Sequence, residues 1–419
     1  MTQAPPAGGL RAFLKRHAID TRTLRYPAYR RLFIGNAFGF FGYQFTAVAV
    51  YKQMYDITRS DLWVGMLGLA GLVPLVAFSL WGGAVADAFD RRRVLLISSV
   101  TMWVATLGLL AQALADVRDP YLIFVLVAVQ AGAFAVTTPT RSAIVPRLMP
   151  AEEVASAQTL SFTMANASTV AGPLAAGLLV AAYPIGWAYA VDALAYTITL
   201  WAAFRLPALP VETTNATTSR FAEIGAGLKY LAGSQLIMLT FVIDIVAMVL
   251  ALPRALFPGV AATRFGEGSL GWLFAAIAIG SVAAGLFSGW INRVHRQGVA
   301  LVAAVVVWGL AVAAAGASRW LWLAVLMLAV AGAGDLVSAV YRQTLLLTYA
   351  PDEMRGRLQG VFFAVVAGGP RLGDLRAGAM AHLTGATIAW VGGGLAAAAV
   401  AVLLAAAFPA LLRYTPRAG

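Results

Sequence analysis

Four aspartates interrupt long apolar runs of this sequence, and their chemistry stands out most. They are Asp192, Asp244, Asp335 and Asp374. A carboxylate in an apolar segment of membrane-spanning length is costly unless it is paired with a cation or faces a water-filled cavity. A carboxyl group that loses water in one conformation and regains it in another changes its affinity for protons. We therefore predict these four aspartates as proton-coupling candidates.

Three arginines in the same runs offer a purely structural alternative. They are Arg254, Arg371 and Arg376. Arg371 and Asp374 are one helical turn apart, so they could simply neutralise each other. Asp192 lies about two turns inside its run and could serve packing contacts alone. Asp244 and Asp335 have no obvious partner nearby in the sequence.

Polar and aromatic side chains form a stripe on the first apolar run. They are Asn36, Phe40, Tyr43 and Gln44. Spacings of three and four residues place them on one face of a helix. Such a stripe is typical of a cavity lining, although a satisfied contact between helices would give the same pattern. Together with Arg254 and Arg371, these residues are the predicted substrate-cavity residues. Tyr51, further along, fits an interfacial aromatic belt.

A glycine, two acids and a basic cluster form the strongest local motif, between the second and third runs. Gly83 is followed by Asp87 and then by Asp90, Arg91 and Arg92. Gly83 permits close approach of another helix. Asp87, near a helix end, could hold a neighbouring arginine or helix N-terminus in one conformation and release it in another. These five residues are the predicted gating motif. The alternative is that the arginines only anchor the loop.

The fifth run contains a glycine–proline element made of Gly172, Pro173 and Gly177. Pro173 removes a backbone donor and is expected to bend the helix. The two glycines permit tight packing against a neighbouring helix, and ordinary packing of small residues is the alternative explanation.

The composition excludes several classes of protein. Of 419 residues, 61% are hydrophobic and 11% are charged, whereas a soluble domain carries about 25% charged residues. The chain has no cysteine, which excludes disulfides, zinc thiolate sites and iron–sulfur clusters. Its histidines, His17, His295 and His382, do not fall at metal-ligand spacing. No phosphate-binding loop pattern occurs, and neither an enzyme nor a cofactor or metal is predicted.

Apolar runs of about 20 residues recur along the chain, and each is long enough to cross a bilayer as a helix. Strands of a membrane barrel would be about ten residues long with alternating polarity. The predicted fold is therefore an all-α membrane protein with twelve transmembrane helices. The predicted spans are 32–51, 62–86, 94–115, 121–143, 155–181, 186–204, 236–258, 269–291, 299–317, 320–348, 358–383 and 386–412.

Basic residues are distributed unevenly between the two sides of these spans. With the N-terminus in the cytoplasm, 22 of the 30 lysines and arginines fall in or beside cytoplasmic segments, and five fall in outside loops. This asymmetry predicts a multi-pass protein of the bacterial inner membrane with both termini in the cytoplasm. The net charge of +12 then reflects topology, and no nucleic-acid partner is predicted.

The two halves of the chain are similar in sequence. An offset of 201 aligns Arg141 with Arg342 and Pro150 with Pro351, so the twelve spans are predicted to form two six-helix pseudo-repeats. The predicted units are a cytoplasmic tail at 1–30, a six-helix bundle at 31–204, a cytoplasmic linker with an amphipathic helix at 205–235, a second bundle at 236–413 and a tail at 414–419.

Together these features resemble the major facilitator superfamily. Stretches beginning at Val50, Leu252 and Met354 resemble its enterobactin-exporter branch. The resemblance implies a proton-coupled secondary exporter (an antiporter) that moves a small organic compound, such as a siderophore or hydrophobic drug, by alternating access. Its implied partners are membrane lipid, the small substrate and protons, and a monomer is usual for the fold.

Two signatures of the superfamily bear on the mechanism. The element at Gly172 and Pro173 resembles its antiporter signature. The arginine expected in the fourth span, upstream of Gln130, is absent, so any proton coupling must use other residues. Two alternatives stay open: a solute importer of the same fold, and a non-transporting membrane scaffold or sensor.

Overall fold

Twelve long helices make up the computed structural model, which describes residues 21–208, 225 and 229–412. Their bounds are α1 Pro27–Thr58, α2 Asp61–Ala88, α3 Arg91–Leu114, α4 Pro120–Ile144, α5 Ala151–Ala182, α6 Gly186–Phe204, α7 Gln235–Ala251, α8 Leu270–Leu286, α9 Gln297–Ala317, α10 Leu321–Tyr349, α11 Asp352–Thr384 and α12 Ala386–Ala407. No strand occurs in the described residues. The predicted all-α class is confirmed.

Ten of these helices, as far as the described residues extend, are long and apolar enough to cross a membrane. The other two, α6 and α11, carry charged residues in mid-helix, among them Asp192 and Asp374. Both aspartates are fully buried inside the protein. A charged side chain in a spanning helix faces the bundle rather than the lipid, so these two helices belong with the other ten.

Contacts between helices divide the bundle into two six-helix halves with corresponding connectivity. In the N-terminal half, α1 packs on α5 and α6, α2 on α4, and α3 on α4 and α6. In the C-terminal half, α7 packs on α11 and α12, α8 on α10, and α9 on α10 and α12. Each contact in one half thus has its counterpart in the other, and the predicted pair of six-helix pseudo-repeats is confirmed.

The halves meet along two helix pairs, α2 with α11 and α5 with α8. Both pairs approach most closely at the distal end, by which we mean the end where α1 meets α2 and α11 meets α12. A methyl group on Gly65 would lie 2.6 Å from the carbonyl oxygen of Asp374, and one on Gly271 would lie 2.7 Å from that of Pro173. Glycine at these positions permits backbones to touch, so the halves are closed against each other here.

The helix α7 breaks where the sequence predicted one continuous span at 236–258. It ends at Ala251, and Leu252 has extended backbone angles (φ −71°, ψ 119°) before a tight turn at Arg254–Leu256. Proline disfavours helical angles at the residue before it and supplies no amide donor. Pro253 therefore ends α7 and places Arg254 on an irregular segment inside the bundle. Non-helical backbone at this depth is tolerated where protein or a cavity surrounds it.

Some predicted features lie outside the described residues. These are the tail at 1–20, most of the central linker and the residues from 413 onward, so the amphipathic linker helix stays a prediction. The described end of the linker, residues 229–233, is helical. Its Tyr230 and Leu231 pack against a buried cluster that includes Ile237 and Leu346, which joins the linker to the C-terminal half.

Candidate functional site

Asp374 is the centre of a polar cluster between the two halves. Its side chain is fully buried, and its Oδ2 accepts hydrogen bonds from the Tyr51 hydroxyl at 2.6 Å and from Arg254 Nη2 at 3.0 Å. Tyr51 belongs to α1, whereas Arg254 and Asp374 belong to the C-terminal half. One carboxylate therefore neutralises one arginine and at the same time joins the halves. Charge-assisted hydrogen bonds of this kind are about twice as strong as neutral ones.

This cluster corrects two expectations from the sequence. Arg371 does not pair with Asp374: it donates to the carbonyl oxygen of Ala367 at 3.2 Å and lies against Gly71 of α2. Tyr51 is not part of a lipid-facing belt, because its hydroxyl reaches Asp374 and its ring packs edge-on against Phe274 at 5.6 Å. Sequence spacing favoured the partner one turn away, but the folded chain supplies partners from more distant segments.

Arg376, the third predicted cation, repairs the break in α7. Its guanidinium donates to the carbonyl oxygens of Val249 (3.1 Å), Leu250 and Ala389 (3.1 Å). In an uninterrupted helix, the carbonyl of Val249 would accept from the amide of residue 253, which is a proline. Arg376 therefore satisfies backbone groups that Pro253 leaves without a donor, and its role is structural.

A second contact between the halves lies at the distal end. The Lys52 Nζ of α1 is 2.8 Å from Glu267, just ahead of α8, and 2.9 Å from Asp56. A cavity of about 510 Å³ opens beside this contact, with Lys52, Asp56, Arg118 and Glu267 among its lining residues. Opening the distal end would separate Lys52 from Glu267. The sequence indicated only a loop cation at Lys52.

Asp244 and Asp335 share one arginine inside the C-terminal half. Arg342 Nη1 lies 2.6 Å from Asp244 Oδ1, and Arg342 Nη2 lies 3.9 Å from Asp335 Oδ1. The Arg342 and Asp244 side chains are 4% and 2% exposed, whereas that of Asp335 is 29% exposed. The contact with Asp244 is a close ion pair without an aligned hydrogen bond.

The partner Arg342 was missed because its position near the end of a predicted span suggested a topological anchor. Asp244 and Asp335 had no obvious local partner in the sequence, yet Arg342 lies only seven residues after Asp335. The available signal was the alignment of Arg342 with Arg141, since a charge repeated in both halves suggests a role in each. With two carboxylates and one guanidinium, this triad carries one negative charge in excess when both acids are ionised.

Asp192 is buried in a different environment, among hydroxyl groups of the N-terminal half. Its Oδ2 accepts from Thr46 at 2.6 Å and from Thr106 at 3.3 Å, and Gln130 in turn donates to Thr106 at 2.8 Å. Among the described residues, no cation lies within 4.0 Å of Asp192. This carboxyl group helps to fasten α1, α3 and α6 together.

The residues of the predicted stripe on α1 contact two different helices, α4 and α5. Phe40 lies under the guanidinium of Arg141, 5.7 Å from its ring centroid, and Tyr43 stacks on Phe134 at 6.1 Å. Asn36 is buried at 9% exposure, and the aliphatic part of Gln44 packs against Gly172 of α5. The structure thus brings Phe40 and Tyr43 to one face of α4, whereas Gln44 faces α5.

The exposure of Arg254 points to a water-accessible space between the halves. The Arg254 side chain is a third exposed, and it shares the Asp374 carboxylate with Tyr51 of the opposite half. Partial exposure of a charged group in the middle of a spanning bundle indicates a water-accessible space. Of the other predicted cavity residues, Phe40 and Tyr43 are partly exposed and Arg371 lies against Gly71 of α2. Their role in a substrate cavity stays a prediction.

The predicted gating motif contributes helix caps at the terminal end, where α1 begins and α12 ends. Asp90 caps α3 by accepting from the Arg93 amide at 2.9 Å. Arg91 donates to the carbonyl of Ala143 at the end of α4 (3.1 Å), and Arg92 donates to that of Phe204 at the end of α6 (2.6 Å). Cations at helix C-termini satisfy the last carbonyls and oppose the helix dipole.

The other two motif residues, Gly83 and Asp87, lie on the last turns of α2, where the structure describes the backbone only. Their gating role stays a prediction. The glycine–proline element is fully described: Gly172 lies against Gln44 of α1, while Pro173 and Gly177 contact Gly271 of α8. This element therefore lies where α5 meets both its own half and the other half.

The described residues contain no group of three or more histidine, cysteine or acidic side chains that could hold a metal ion.

Comparisons with known proteins agree with this architecture. The family described as "Transmembrane secretion effector" matches residues 21–415. Enterobactin exporter EntS of Shigella boydii serotype 18 is 28% identical over 352 residues, which are 83% of this chain and 84% of that protein. EntS of Salmonella typhi is 28% identical over 353 residues, with the same shares.

Solved structures share the fold at low sequence identity. The nucleoside transporter NupG superposes with a TM-score of 0.74 at 16% identity, covering 93% of this chain and all of the other. A bacterial homologue of the human lysosomal transporter Spinster superposes with a TM-score of 0.68 at 17% identity, covering 94% of this chain and 97% of the other.

Proposed function

We propose, from the premise that this chain belongs to the transmembrane secretion effector family of the major facilitator superfamily, that it is a proton-coupled exporter of a small organic compound. The chain is a multi-pass membrane transporter, and its curated relatives are named enterobactin exporters. A siderophore or a hydrophobic drug is the proposed substrate. Export would proceed by alternating access, in which the halves rock about a site between them.

The proposed orientation follows from the distribution of basic residues. Arginines gather at the terminal end, among them Arg91 and Arg92, and the positive-inside rule assigns that end to the cytoplasm. The closed distal end then faces outward, and the cleft of this conformation opens inward. In this state the exporter would accept its substrate from the cytoplasm.

The observation that carries the proton-coupling proposal is the sharing of Arg342 by Asp244 and Asp335. Asp244 is the closer and more deeply buried partner, so it holds the arginine charge. Asp335 is the surplus acid, and its partial exposure leaves it open to water. A surplus carboxylate next to a fixed ion pair can gain or lose a proton without breaking that pair. We therefore assign the transported proton to Asp335.

The other acids fit different roles in this mechanism. Asp374 is balanced by Arg254 and bonded to Tyr51 across the halves, so it serves as a distal gate that must release Tyr51 when the outside opens. Lys52 and Glu267 form a second, more exposed part of the same gate. Asp192 has hydroxyl partners inside one half and serves the packing of that half.

The test is transport into inside-out vesicles or proteoliposomes with an imposed pH gradient. We expect gradient-driven accumulation of enterobactin, a macrolide or a cationic dye that a protonophore abolishes. Asp335→Asn should lower this accumulation by about tenfold or more, because the amide cannot ionise. The matched control is Asp116→Asn, in which an exposed acid of a distal loop is changed in the same way.

Each outcome separates the proposal from its alternatives. Accumulation that does not depend on the gradient would overturn proton coupling. Gradient-driven transport in the opposite direction would favour an importer of the same fold. Full coupling in Asp335→Asn with loss in Asp244→Asn or Asp374→Asn would move the proton site to another acid.

A further inference from the structure

Two equivalent acids lie where the halves meet at the distal end. An offset of 206 residues, which aligns Gly65 of α2 with Gly271 of α8, also aligns Asp61 with Glu267. Glu267 lies 2.8 Å from Lys52 of the opposite half, so this acid is neutralised when the distal end is closed. The repeat suggests that Asp61 should meet a cation of the opposite half in the same way.

Asp61 meets a glycine instead. A methyl group on Gly259, in the short helical segment 257–260 after the break in α7, would lie 2.6 Å from Asp61 Oδ1 and 2.9 Å from the Tyr55 ring. The carbonyl oxygen of Asp61 contacts Gly378 of α11. Asp61 Oδ1 is buried and has no hydrogen-bond partner.

The segments that form the distal end are all described, at 50–62, 113–122, 182–187, 252–272, 316–322 and 383–390. Within this described region, no cation lies within 4.0 Å of the Asp61 carboxyl group. The two equivalent acids are therefore enclosed by different chemistry: Glu267 by an ammonium group, and Asp61 by backbone and an aromatic ring.

Closing the distal end takes water from the Asp61 carboxyl group and supplies neither a cation nor a donor in return. Loss of water disfavours the charged form of a carboxyl group, and a buried charge without a partner is costly. The N-terminus of α2 favours the charged form, but Asp61 moves together with α2, so this contribution is the same in the open and closed conformations. Desolvation therefore decides the difference, and the closed conformation prefers the protonated acid.

We propose that Asp61 is a proton-binding site at the distal contact between the halves, where closing takes up one proton and opening releases it. Its side chain is partly exposed, which leaves a route for that proton to the distal surface. The equivalent contact at Glu267 closes as an ion pair and needs no proton. Of the two pseudo-symmetric contacts, only the one at Asp61 is closed by acid.

This site is separate from Asp335, which lies inside the C-terminal half. That the proton comes from outside the cell rests on the orientation given under the proposed function, whereas the dependence of closure on pH does not. In an exporter with that orientation, outside acid would return the empty protein to the conformation that accepts substrate from the cytoplasm.

Other ionisable groups lie on the elements packed against Asp61. They are Tyr55, Asp56 and Arg59 of α1, Arg254 and Arg264 of the segment after α7, Glu267, and Asp374 and His382 of α11. Lys52 holds Asp56 and Glu267. Arg254 holds Asp374, and Arg264 donates to backbone carbonyl groups. Arg59 lies over the Tyr55 ring of its own half at 5.9 Å. His382 is exposed, and because histidine ordinarily titrates near neutral pH, it requires a control variant.

The test is the opening of the distal end as a function of pH, without substrate or gradient. Because the chain has no cysteine, spin labels can be placed at Tyr183→Cys and Trp320→Cys, two exposed positions in different halves. Their separation, measured by pulsed electron paramagnetic resonance in nanodiscs, gives the ratio of open to closed molecules. Raising the pH from about 5 to about 8 should raise this ratio by about fivefold or more, because an ionised Asp61 opposes closure.

Three variants assign this response to one residue. Asp61→Asn should keep the acid ratio of the parent chain at every pH, because an amide cannot ionise; agreement with the parent distances in acid also shows that the variant is folded. If Asp61→Asn does not fold, Asp61→Ser removes the same charge and the same result is expected. Glu267→Gln should raise the open ratio at every pH, because Lys52 loses its partner, and should keep the rise with pH. His382→Gln should leave the whole response unchanged.

The remaining outcomes separate this site from its alternatives and from the proposed function. A rise with pH that persists in Asp61→Asn would refute the site, as would an open ratio that falls when the pH is raised. Loss of the rise in His382→Gln would assign the response to the histidine. In Asp335→Asn the rise should persist even where gradient-driven efflux is lost. An Asp61 response in a chain without coupled efflux would refute the proposed function alone.

Discussion

The two halves of this bundle place an arginine at equivalent points of α4 and α10 and then surround it with different chemistry. Seven residues before Arg342 stands Asp335, and seven residues before Arg141 stands Phe134, at the same offset of 201. One half therefore holds its arginine with acids, and the other leaves it among rings. The comparison shows that a duplicated fold can keep its helix packing while the surroundings of an equivalent charge diverge.

The largest expected effect comes from removing each arginine in turn. Arg342→Gln leaves Asp244 and Asp335 without a cation, and breaking a buried ion pair by removing one partner costs about 3–5 kcal/mol. Arg141→Gln leaves no carboxylate unpaired among the described residues and should change the free energy of unfolding by less than about 1 kcal/mol. Unfolding in mixed detergent micelles measures both. If both variants lose the same free energy of unfolding, the two arginines do not differ in how their charge is compensated.

A second substitution imposes the chemistry of one half on the other. Phe134→Asp would give Arg141 a carboxylate two helical turns away, as Asp335 does for Arg342. The new ion pair should offset part of the desolvation cost of Arg141, so the free energy of unfolding of Phe134→Asp should exceed that of Phe134→Leu by about 1.5 kcal/mol. Phe134→Leu is the matched control, since it removes the ring without adding charge. If the two variants are equally stable in mixed detergent micelles, the new carboxylate does not pair with Arg141.

A smaller effect is expected where the halves meet. Tyr51→Phe removes the hydrogen bond that Asp374 accepts across the cleft, and a bond to a charged group contributes about 1.5–3 kcal/mol. The population with an open distal end should rise. Because the chain has no cysteine, a single Ile57→Cys beside the distal cavity reports opening through its rate of alkylation. Tyr121→Phe, on an exposed tyrosine at the start of α4, is the control and should leave that rate unchanged.

The smallest effect is expected at Asp192. The hydroxyl groups of Thr46 and Thr106 can donate to an amide oxygen as well as to a carboxylate. Asp192→Asn should therefore change stability by about 1 kcal/mol or less and keep gradient-driven efflux. Efflux of a dye, measured with and without a protonophore, tests whether the gradient-driven transport is kept. Loss of coupling without loss of stability would place a proton site in the N-terminal half. The proposed difference in role between Asp192 and the acids of the C-terminal half would then be wrong.

The sequence predicted the helices well because apolar length is a local property. Twelve runs of membrane-spanning length became twelve helices, and the offset of 201 anticipated their corresponding packing. The break in α7 was also within reach, since Leu252 precedes Pro253 and the residue before a proline resists helical angles. The long run of apolar residues on both sides outweighed that signal.

The pairings of the charged residues could not be predicted, because each partner lies on a distant segment. Asp374 takes Arg254 and Tyr51 from 120 and 323 residues away, although Arg371 is only one turn distant. Arg376 donates to the carbonyl groups of Val249 and Leu250, which are left without a helical donor by the break at Pro253, and to that of Ala389 on α12. Side-chain spacing identifies which residues are costly in a membrane, but the packing of the helices decides what compensates them.

The contact of α5 with α8 also limits how this protein can evolve. Gly271 lies so close to Pro173 that one added carbon would approach the carbonyl oxygen to 2.7 Å. No amino acid is smaller than glycine, so every missense mutation at this codon adds atoms to the contact between α5 and α8. At Gly271, as at Gly65 in the α2–α11 contact, selection therefore has no smaller residue to which the position could drift.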